Sequence, residues 1–236
     1  MDQWLEERVR RMKPHTQLGG GRSHGSLPRH RHAKRILDFV VALLGLVVLL
    51  LPMVVIALII RFTSPGPALF RQVRLGQGGQ PFVMYKFRTM YQDSPDDIHR
   101  DYVRKMFGDD PEATDAPGGL YKLYNDPRLT PVGPALRRTS LDELPQLINI
   151  IRGEMSLVGP RPALPWEAEL FEAAHHTRFL VPPGVTGLWQ ISGRNRLTMA
   201  EGLQLDLTYL EKQSFGFDLM ILLKTLPVIL LAKNAR

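Results

Sequence analysis

A long uncharged segment at residues 39–60 constrains the fold of this chain more than any other feature. It consists almost entirely of valine, leucine, isoleucine, alanine and methionine. As an α-helix it would be roughly 33 Å long, which matches the hydrocarbon core of a bilayer. A cleaved signal peptide would have a shorter charged stretch before it and no proline in its middle. The segment therefore predicts a membrane helix rather than a buried helix of a soluble protein.

The flanks of this helix and a proline inside it leave two topologies open. Pro52 lacks a backbone N–H, so a kink is predicted there. Basic residues occur on both sides, with Lys34 and Arg35 before the helix and Arg61 after it. Because basic flanks favour the cytoplasm, the pattern favours a re-entrant helix over a single span. Asp38 is interpreted as a helix cap or as a partner of Lys34 or Arg35.

The charge balance points to phosphate-bearing partners. The net charge is +7, from 30 Lys and Arg against 23 Asp and Glu, and nine of the cations lie in residues 1–35. Residues 1–33 are predicted to form a basic, disordered tail, solvated and attracted to an anionic membrane surface. The chain has no motif typical of nucleic-acid binding, so nucleic acid is not expected as a partner. It has no cysteine, which excludes disulfides and thiolate metal sites.

A β-hairpin is predicted directly after the membrane helix. Residues 68–75 and 82–88 flank the glycine-rich turn 76–79. Alternation along the second strand places Lys86 and Arg88 on one face, as two neighbouring cations. The glycines are interpreted as a plain turn rather than a phosphate cradle, because no Lys-Ser/Thr pair or helix follows them. Residues 91–127 are acidic and predict a solvated insertion with one helix at 98–107.

A pair of carboxylates marks the next predicted helix, at residues 139–152. Ser140 and Glu143 have capping-box spacing, and Asp142 is the alternative cap, with Pro145 then in the first turn. In either case Asp142 and Glu143 lie side by side at a helix N-terminus.

The remaining sequence predicts three more helices. They cover residues 166–179, 198–213 and 215–232, and a polar loop at 187–195 separates the first two. The last helix is strongly apolar but contains charged residues and Pro227, so it is expected to lie along the membrane interface. The predicted fold is α+β and mostly helical, with a membrane helix at 34–62 and a catalytic domain at 63–236.

The chain contains the residue types that phosphate chemistry requires. Cations hold diphosphate oxygens, a carboxylate binds a divalent metal, and a nucleophile attacks phosphorus. Asp142 is the candidate nucleophile, because a phosphoaspartate would split one displacement into two. A plain salt bridge between the carboxylate pair and nearby arginines is the alternative. The candidate cations lie in polar segments: Lys86, Arg88, Arg137, Arg138, Arg161 and Arg194.

Several motifs in this chain resemble the bacterial sugar transferase family, the monotopic phosphoglycosyl transferases. They are YKFRTM at 85–90, RTSLDELPQ at 138–146, SLVGPRP at 156–162, and PGVTG at 183–187 with SGRN at 192–195. The motifs occur in the family's order, and the resemblance extends from about residue 34 to about residue 231. The chain resembles the small form of the family that contains the catalytic domain alone.

The resemblance implies a mechanism and roles for individual residues. Asp142 would attack the β-phosphorus of a UDP-sugar, UMP would leave, and undecaprenyl phosphate would then displace the aspartate. Mg²⁺ would be required, with Asp142 as its ligand and Glu143 supporting the metal or the geometry. The family also implies a helix break at Leu51-Pro52, although it usually has a small polar residue where this chain has Leu51. The implied phosphate-binding residues are Lys86, Arg88, Arg137, Arg161 and Arg194.

The resemblance further implies a place for the reaction in the cell. It would be the first membrane step of exopolysaccharide, capsule, O-antigen or glycoprotein glycan assembly, on the cytoplasmic face of the bacterial inner membrane. The long insertion resembles relatives that transfer a hexose phosphate, which favours glucose or galactose. A homodimer is left open. So is an inactive module that binds nucleotide sugar or lipid, although the intact Asp142, Glu143, Arg161 and Arg194 argue against it.

Overall fold

One long N-terminal helix and a mixed, mostly helical α+β domain make up the fold, as predicted. The computed structural model describes residues 28–92, 126–193 and 197–231. The helices are α1 Pro28–Thr63, α2 Gly133–Thr139, α3 Gln146–Arg152, α4 Pro165–Ala168, α5 Leu188–Ser192, α6 Met199–Lys212 and α7 Phe215–Leu231. The strands are β1 Leu69–Leu75, β2 Pro81–Phe87, β3 Ser156–Val158 and β4 Gly184–Thr186. Single 3-10 segments lie at Gln77–Gly79, Leu141–Glu143 and Ala173–Leu180.

Three predicted features lie outside the described residues. They are the tail as far as residue 27, the insertion between 93 and 125 with its helix at 98–107, and Arg194.

Helix α1 is longer than the sequence predicted and has the properties of a membrane helix. It begins at Pro28, inside the segment interpreted as a tail, and continues through Pro52. The break implied at residues 51–52 therefore does not interrupt the helix. Its apolar part has a mean hydropathy of 3.3, and only 6% of that window is buried against the rest of the protein. An apolar helix of this length that the protein itself leaves uncovered is typical of a helix in contact with lipid.

The start of α1 is fixed to the catalytic domain by buried charges. The Lys34 ammonium lies 2.7 Å from Asp218 Oδ2 in α7 and donates to the Val158 carbonyl at 3.0 Å. Asp38 accepts a hydrogen bond of 3.0 Å from the Leu157 N–H. The structure thus corrects the interpretation of Asp38, since its recorded partner is the backbone of β3. The reason is that β3 runs directly beside the first turns of the helix.

The end of α1 contacts the same domain. The Arg88 guanidinium donates to the Ser64 carbonyl at 2.8 Å, just past the helix. Between the two ends, Met53 and Ile60 belong to a buried cluster with Phe87 and Leu136. The domain therefore contacts α1 near its start, at Met53 and Ile60, and just past its end, while most of the apolar surface of the helix stays exposed.

Two small sheets and a central core complete the domain. Strands β1 and β2 form the predicted antiparallel hairpin, and β3 pairs with β4 in parallel. The main core includes Ile150, Val158, Tyr209 and Ile221, and so joins α3, β3, α6 and α7. Helices α6 and α7 confirm their predicted spans within a residue or two.

The predicted helix at 139–152 is wrong, because the chain turns sharply inside it. Ser140 has a left-handed backbone (φ 57°) and ends α2, and a single 3-10 turn, Leu141–Glu143, follows. Helix α3 begins only at Gln146, with Pro145 as its N-cap. No side-chain hydrogen bond from Ser140 caps the 3-10 turn, so the proposed capping box is absent there. Local spacing did not reveal this reversal, because it depends on a positive φ that non-glycine residues seldom adopt.

Two other local predictions also need correction. The predicted helix at 166–179 is the short α4 followed by bends and the 3-10 segment Ala173–Leu180, whose residue Phe179 packs with Phe171. The predicted loop at 187–195 contains α5, because Leu188 and Ile191 pack against the main core. Burial of apolar side chains overrides the local sequence pattern in both places.

The contacts at both ends of α1 generate a topological prediction. Since Lys34 and Ser64 contact one polar domain, we expect both ends of α1 to face the cytoplasm, as the basic flanks also predict. Single cysteines introduced at Ser26 and at Thr63, in this cysteine-free chain, should both resist a membrane-impermeant maleimide in intact cells. Both should react once the cells are opened. Labelling of the Ser26 position from outside would instead demonstrate a single span.

Candidate active site

Asp142 and Glu143 lie in the 3-10 turn between α2 and α3. The backbone of this turn is held by the Glu143 N–H, which donates to the Ser140 carbonyl at 3.2 Å. Asp142 is 9% exposed, whereas Glu143 is partly exposed. The pair precedes α3 rather than starting it, so the helix dipole assumed from sequence is not directly applied to these carboxylates. Their electrostatic surroundings come from neighbouring side chains.

Lys86 in β2 is the nearest cation to Glu143. Its ammonium lies 3.8 Å from Glu143 Oε1, and both side chains are partly exposed. Burial lowers the pKa of Lys86, while Glu143 and Asp142 oppose that shift and Arg161 adds to it. The structure thus brings Lys86 beside Glu143, within electrostatic reach of Asp142. The partial exposure leaves the ammonium reachable by a ligand.

Arg137, in the last turn of α2, is a second cation beside Asp142. Burial lowers the pKa of Arg137, and the charges of Asp142 and Asp126 oppose the shift. Arg161 acts on Arg137 in the same direction as it acts on Lys86, by repulsion. Lys86, Arg137 and Arg161 therefore share one electrostatic neighbourhood with Asp142. A carboxylate whose charge acts on two of these cations, with the third close enough to repel both, suits a ligand that carries several phosphate oxygens.

The sequence analysis missed a buried ion pair that supports Arg137. Arg128 Nη2 lies 2.8 Å from Asp126 Oδ2, and both side chains are buried. Hydrogen bonds from Arg128 hold the pKa of Asp126 below its usual value. The spacing of the two residues could have predicted this contact, because an Asp side chain often accepts a hydrogen bond from the backbone N–H two residues later. Here Asp126 Oδ1 accepts from the Arg128 N–H at 3.0 Å. Asp126 lay within the segment predicted to be a solvated insertion, residues 91–127, and Arg128 lay just beyond it.

A second missed pair lies behind Arg161. Arg178 Nη2 is 2.6 Å from Asp206 Oδ2, and both residues are buried. Burial raises the pKa of Asp206 to about 6, and Arg178 and Arg161 both pull it down. The sequence pattern that could have predicted this pair is the position of Asp206 in α6, three residues from both Leu203 and Tyr209 and so on the apolar face of the helix.

The structure corrects the role predicted for Arg88. Arg88 is 4% exposed, and its guanidinium donates to the Pro65 carbonyl at 2.5 Å and to the Ser64 hydroxyl at 2.7 Å. Burial lowers the pKa of Arg88, and Arg61 adds to the shift. These contacts give Arg88 a structural role at the end of α1. Strand β2 ends at Phe87, so the alternation that grouped Arg88 with Lys86 does not extend to it.

The donor chemistry at the site is compatible with Mg²⁺. Asp142 and Glu143 provide carboxylate oxygens, the ligands this ion prefers, and Mg²⁺ is commonly held by one or two carboxylates together with substrate phosphates. Within residues 28–92, 126–193 and 197–231, no group of three or more His, Asp or Glu residues forms a metal cage. The residues present thus fit a metal that shares its coordination with substrate.

Comparison with known proteins identifies the family to which this chain belongs. The sequence profile described as bacterial sugar transferase matches residues 29–232. The chain belongs to the bacterial sugar transferase family. It is similar to the exopolysaccharide production protein ExoY of Sinorhizobium fredii, with 40% identity over 86% of this chain and 88% of that protein.

Two relatives with more specific names are similar to the same extent. The UDP-glucose:undecaprenyl-phosphate glucose-1-phosphate transferase of Caulobacter vibrioides is 40% identical over 94% of this chain and 79% of its own length. The galactosyl transferase CpsE of Streptococcus agalactiae is 41% identical over 88% of this chain but only 44% of its own length. The family expected from the motifs is therefore confirmed.

Different roles for Lys86 and Arg88 lead to a paired prediction. Lys86→Gln should lower kcat/KM by at least about ten-fold with little change in thermal unfolding, because it removes a reachable cation. Arg88→Gln should instead cost about 1–3 kcal/mol of stability, because it leaves buried carbonyls unpaired. Activity per folded molecule and unfolding curves in detergent separate the two effects. Equal catalytic losses with equal stability would contradict the assignment.

Proposed function

We propose that this chain is a phosphoglycosyl transferase that moves a sugar-1-phosphate from a UDP-sugar to undecaprenyl phosphate. The observation that carries the proposal is the buried Asp142 carboxylate among Lys86, Arg137 and Arg161. Membership of the family and the similarity to a relative named as a glucose-1-phosphate transferase support the same reaction. The exposed apolar helix α1 supports a lipid acceptor.

In the first step, a carboxylate oxygen of Asp142 attacks the β-phosphorus of the UDP-sugar. A bond forms between that oxygen and phosphorus, the bond from phosphorus to the bridging oxygen breaks, and UMP leaves with the bond's electrons. Lys86, Arg137 and Arg161 would bind the phosphate oxygens and stabilise their charge as the transition state forms. The product is a sugar-phosphoryl aspartate on Asp142.

In the second step, an oxygen of undecaprenyl phosphate attacks the same phosphorus. The phosphorus–aspartate bond breaks, the Asp142 carboxylate is restored, and an undecaprenyl-diphosphosugar is released. Splitting the transfer in this way lets one set of cations serve both displacements, because both pass through similar charge at the same phosphorus. Arg194 is proposed as a further phosphate ligand on the resemblance of its motif.

Asp142 would hold Mg²⁺, and Glu143 would support the metal or the geometry. When bound, the ion supplies neutralisation of charge on the phosphate oxygens. Glu143 also lies 3.8 Å from the Lys86 ammonium, so it orients that cation toward the same region.

The proposed location is the cytoplasmic face of the bacterial inner membrane, with α1 re-entrant. Lys34, at the start of α1, and Ser64, just beyond its end, both contact the catalytic domain, which supports entry and exit on one side. Helix α7 has apolar side chains exposed at Phe215, Leu219 and Leu223, which suits a position in the interface. Exopolysaccharide or capsule assembly is the proposed pathway class, with a hexose as the sugar.

The reaction is tested by measuring UMP release from a panel of UDP-sugars with Mg²⁺ and polyprenyl phosphate. UDP-glucose or UDP-galactose should give turnover that depends on the lipid. Binding of a UDP-sugar with no UMP release from any member of the panel would instead support a binding module.

The nucleophile is tested by a matched pair of variants. Asp142→Asn should retain the fold and lose all but a few per cent of UMP release, because an amide of the same shape does not attack phosphorus. Glu143→Gln should be impaired no more than Asp142→Asn. Substantial turnover by Asp142→Asn without deamidation, or full activity of Glu143→Gln, would exclude the roles assigned to the pair.

The metal requirement is tested by chelation. EDTA should abolish UMP release and added Mg²⁺ should restore it, since the candidate ligands are carboxylate oxygens. Thiophilic metals should not substitute, because the chain has no cysteine. Undiminished turnover in EDTA would rule out the metal.

A further inference from the structure

Hydrogen bonds fix the backbone on both sides of Arg161. Four consecutive carbonyls, at residues 160–163, each accept a hydrogen bond from a different donor. In chain order these are Gly184 N–H at 2.8 Å, Arg178 Nη2 at 2.8 Å, Arg74 Nη1 at 2.9 Å and Leu75 N–H at 2.9 Å. Strand β1 supplies two of the donors, Arg74 and Leu75, while Gly184 belongs to β4 and Arg178 to the 3-10 segment, so the loop is fixed from three separate places in the fold.

Two of these donors are buried arginines. Arg178 is 5% exposed, forms an ion pair of 2.6 Å with Asp206, and lies with its guanidinium 5.1 Å from the Phe171 ring centroid. Arg74 lies 3.7 Å from Glu167 Oε2. Burying charged pairs is costly, and a neutral donor would satisfy a carbonyl equally well. Their placement on adjacent carbonyls of the Arg161 loop therefore calls for an explanation beyond stability.

The entry to the loop is equally restricted. Gly159 and Gly184 approach so closely that a Cβ on Gly184 would collide with the Gly159 nitrogen. The Gly159 N–H donates to the Thr186 carbonyl at 2.9 Å. At residues 160 and 162 the loop has prolines, which fix φ. Arg161 is thus the one long side chain on a backbone segment with little freedom.

We propose that the Arg178–Asp206 pair is a positioning device for Arg161. By binding the Arg161 carbonyl, Arg178 sets the orientation of that residue's backbone, and hence the direction in which its guanidinium meets the nucleotide phosphates. Asp206 holds Arg178 in place. The proposal rests on the phosphate-binding role proposed above for Arg161, and it concerns residues that do not themselves touch substrate.

The orientation of the Arg161 guanidinium also affects the other two cations of the site. The Arg161 charge repels both Lys86 and Arg137. A displaced guanidinium would therefore change the surroundings of both other cations as well as losing its own phosphate contact. Displacements of about 1 Å can cost on the order of a hundred-fold in rate at such sites.

The test is a double-mutant cycle in the full-length chain, with kcat and KM measured per folded molecule. Arg178→Lys keeps the charge beside Asp206 but shortens the reach to the Arg161 carbonyl, and should lower kcat/KM by about ten-fold or more. In an Arg161→Lys background the same substitution should change kcat/KM by less than about two-fold, because the residue through which it acts is already altered. Asp206→Asn should follow the same pattern.

Controls separate positioning from general destabilisation. Glu211→Gln removes an exposed charge from the same helix, α6, and should leave kcat/KM unchanged. Equal losses from Arg178→Lys in both backgrounds would overturn the proposal, since a purely structural effect is additive. So would unchanged activity of both Arg178→Lys and Asp206→Asn in folded protein.

The cycle also has a readout that does not depend on turnover. Affinity for UDP, measured by calorimetry, should show the same non-additivity between positions 161 and 178. If the unmodified chain binds UDP but releases no UMP, the proposed reaction fails while the positioning proposal is decided by these affinities. Failure of the unmodified chain to bind UDP would overturn both.

Discussion

The buried ion pair between Lys34 and Asp218 is the interaction on which the rest of the architecture depends. It joins the start of the membrane helix to α7, while the Lys34 ammonium also donates to the Val158 carbonyl. The Tyr209 hydroxyl donates to Asp218 at 2.8 Å, which brings α6 into the same network. Removing one member of a buried pair leaves an uncompensated charge, at a cost of about 3–5 kcal/mol. Because β3 leads directly into the Arg161 loop, the network fixes the active site relative to the membrane helix.

The fold also brings together the cations of the candidate active site. Each cation proposed to meet phosphate, within the described residues, comes from a different element: Lys86 from β2, Arg137 from α2 and Arg161 from the loop after β3. Cations packed together repel one another, and burial penalises each of them further. The Asp142 carboxylate offsets part of that repulsion, and a diphosphate would offset more. The site is therefore built so that an anionic ligand relieves an existing electrostatic cost.

The sequence predicted those elements whose structure depends on local pattern. Apolar runs and turn residues revealed α1, the hairpin, α6 and α7, and long motifs identified the family and the Asp142–Glu143 pair. The sequence did not reveal the left-handed Ser140, because non-glycine residues seldom adopt a positive φ. It also did not reveal the buried partners of Arg88, because they lie more than twenty residues away in the chain. Charged residues on apolar helix faces, such as Asp206 and Asp218, were the available signal for the buried pairs. Their partners, Arg178 and Lys34, lie on other elements and were found only from the three-dimensional structure.

The separation between Lys34 and its partners has a consequence for how the protein is made. Lys34 and Val158 are 124 residues apart in the chain. At a synthesis rate of about 5–20 residues per second, on the order of ten seconds pass after Lys34 is made before Val158 exists. During that interval Lys34 has neither of its final partners, since Asp218 is translated later than Val158. Because Asp218 is translated later still, the attachment of α1 to the domain is completed only when α7 has been made.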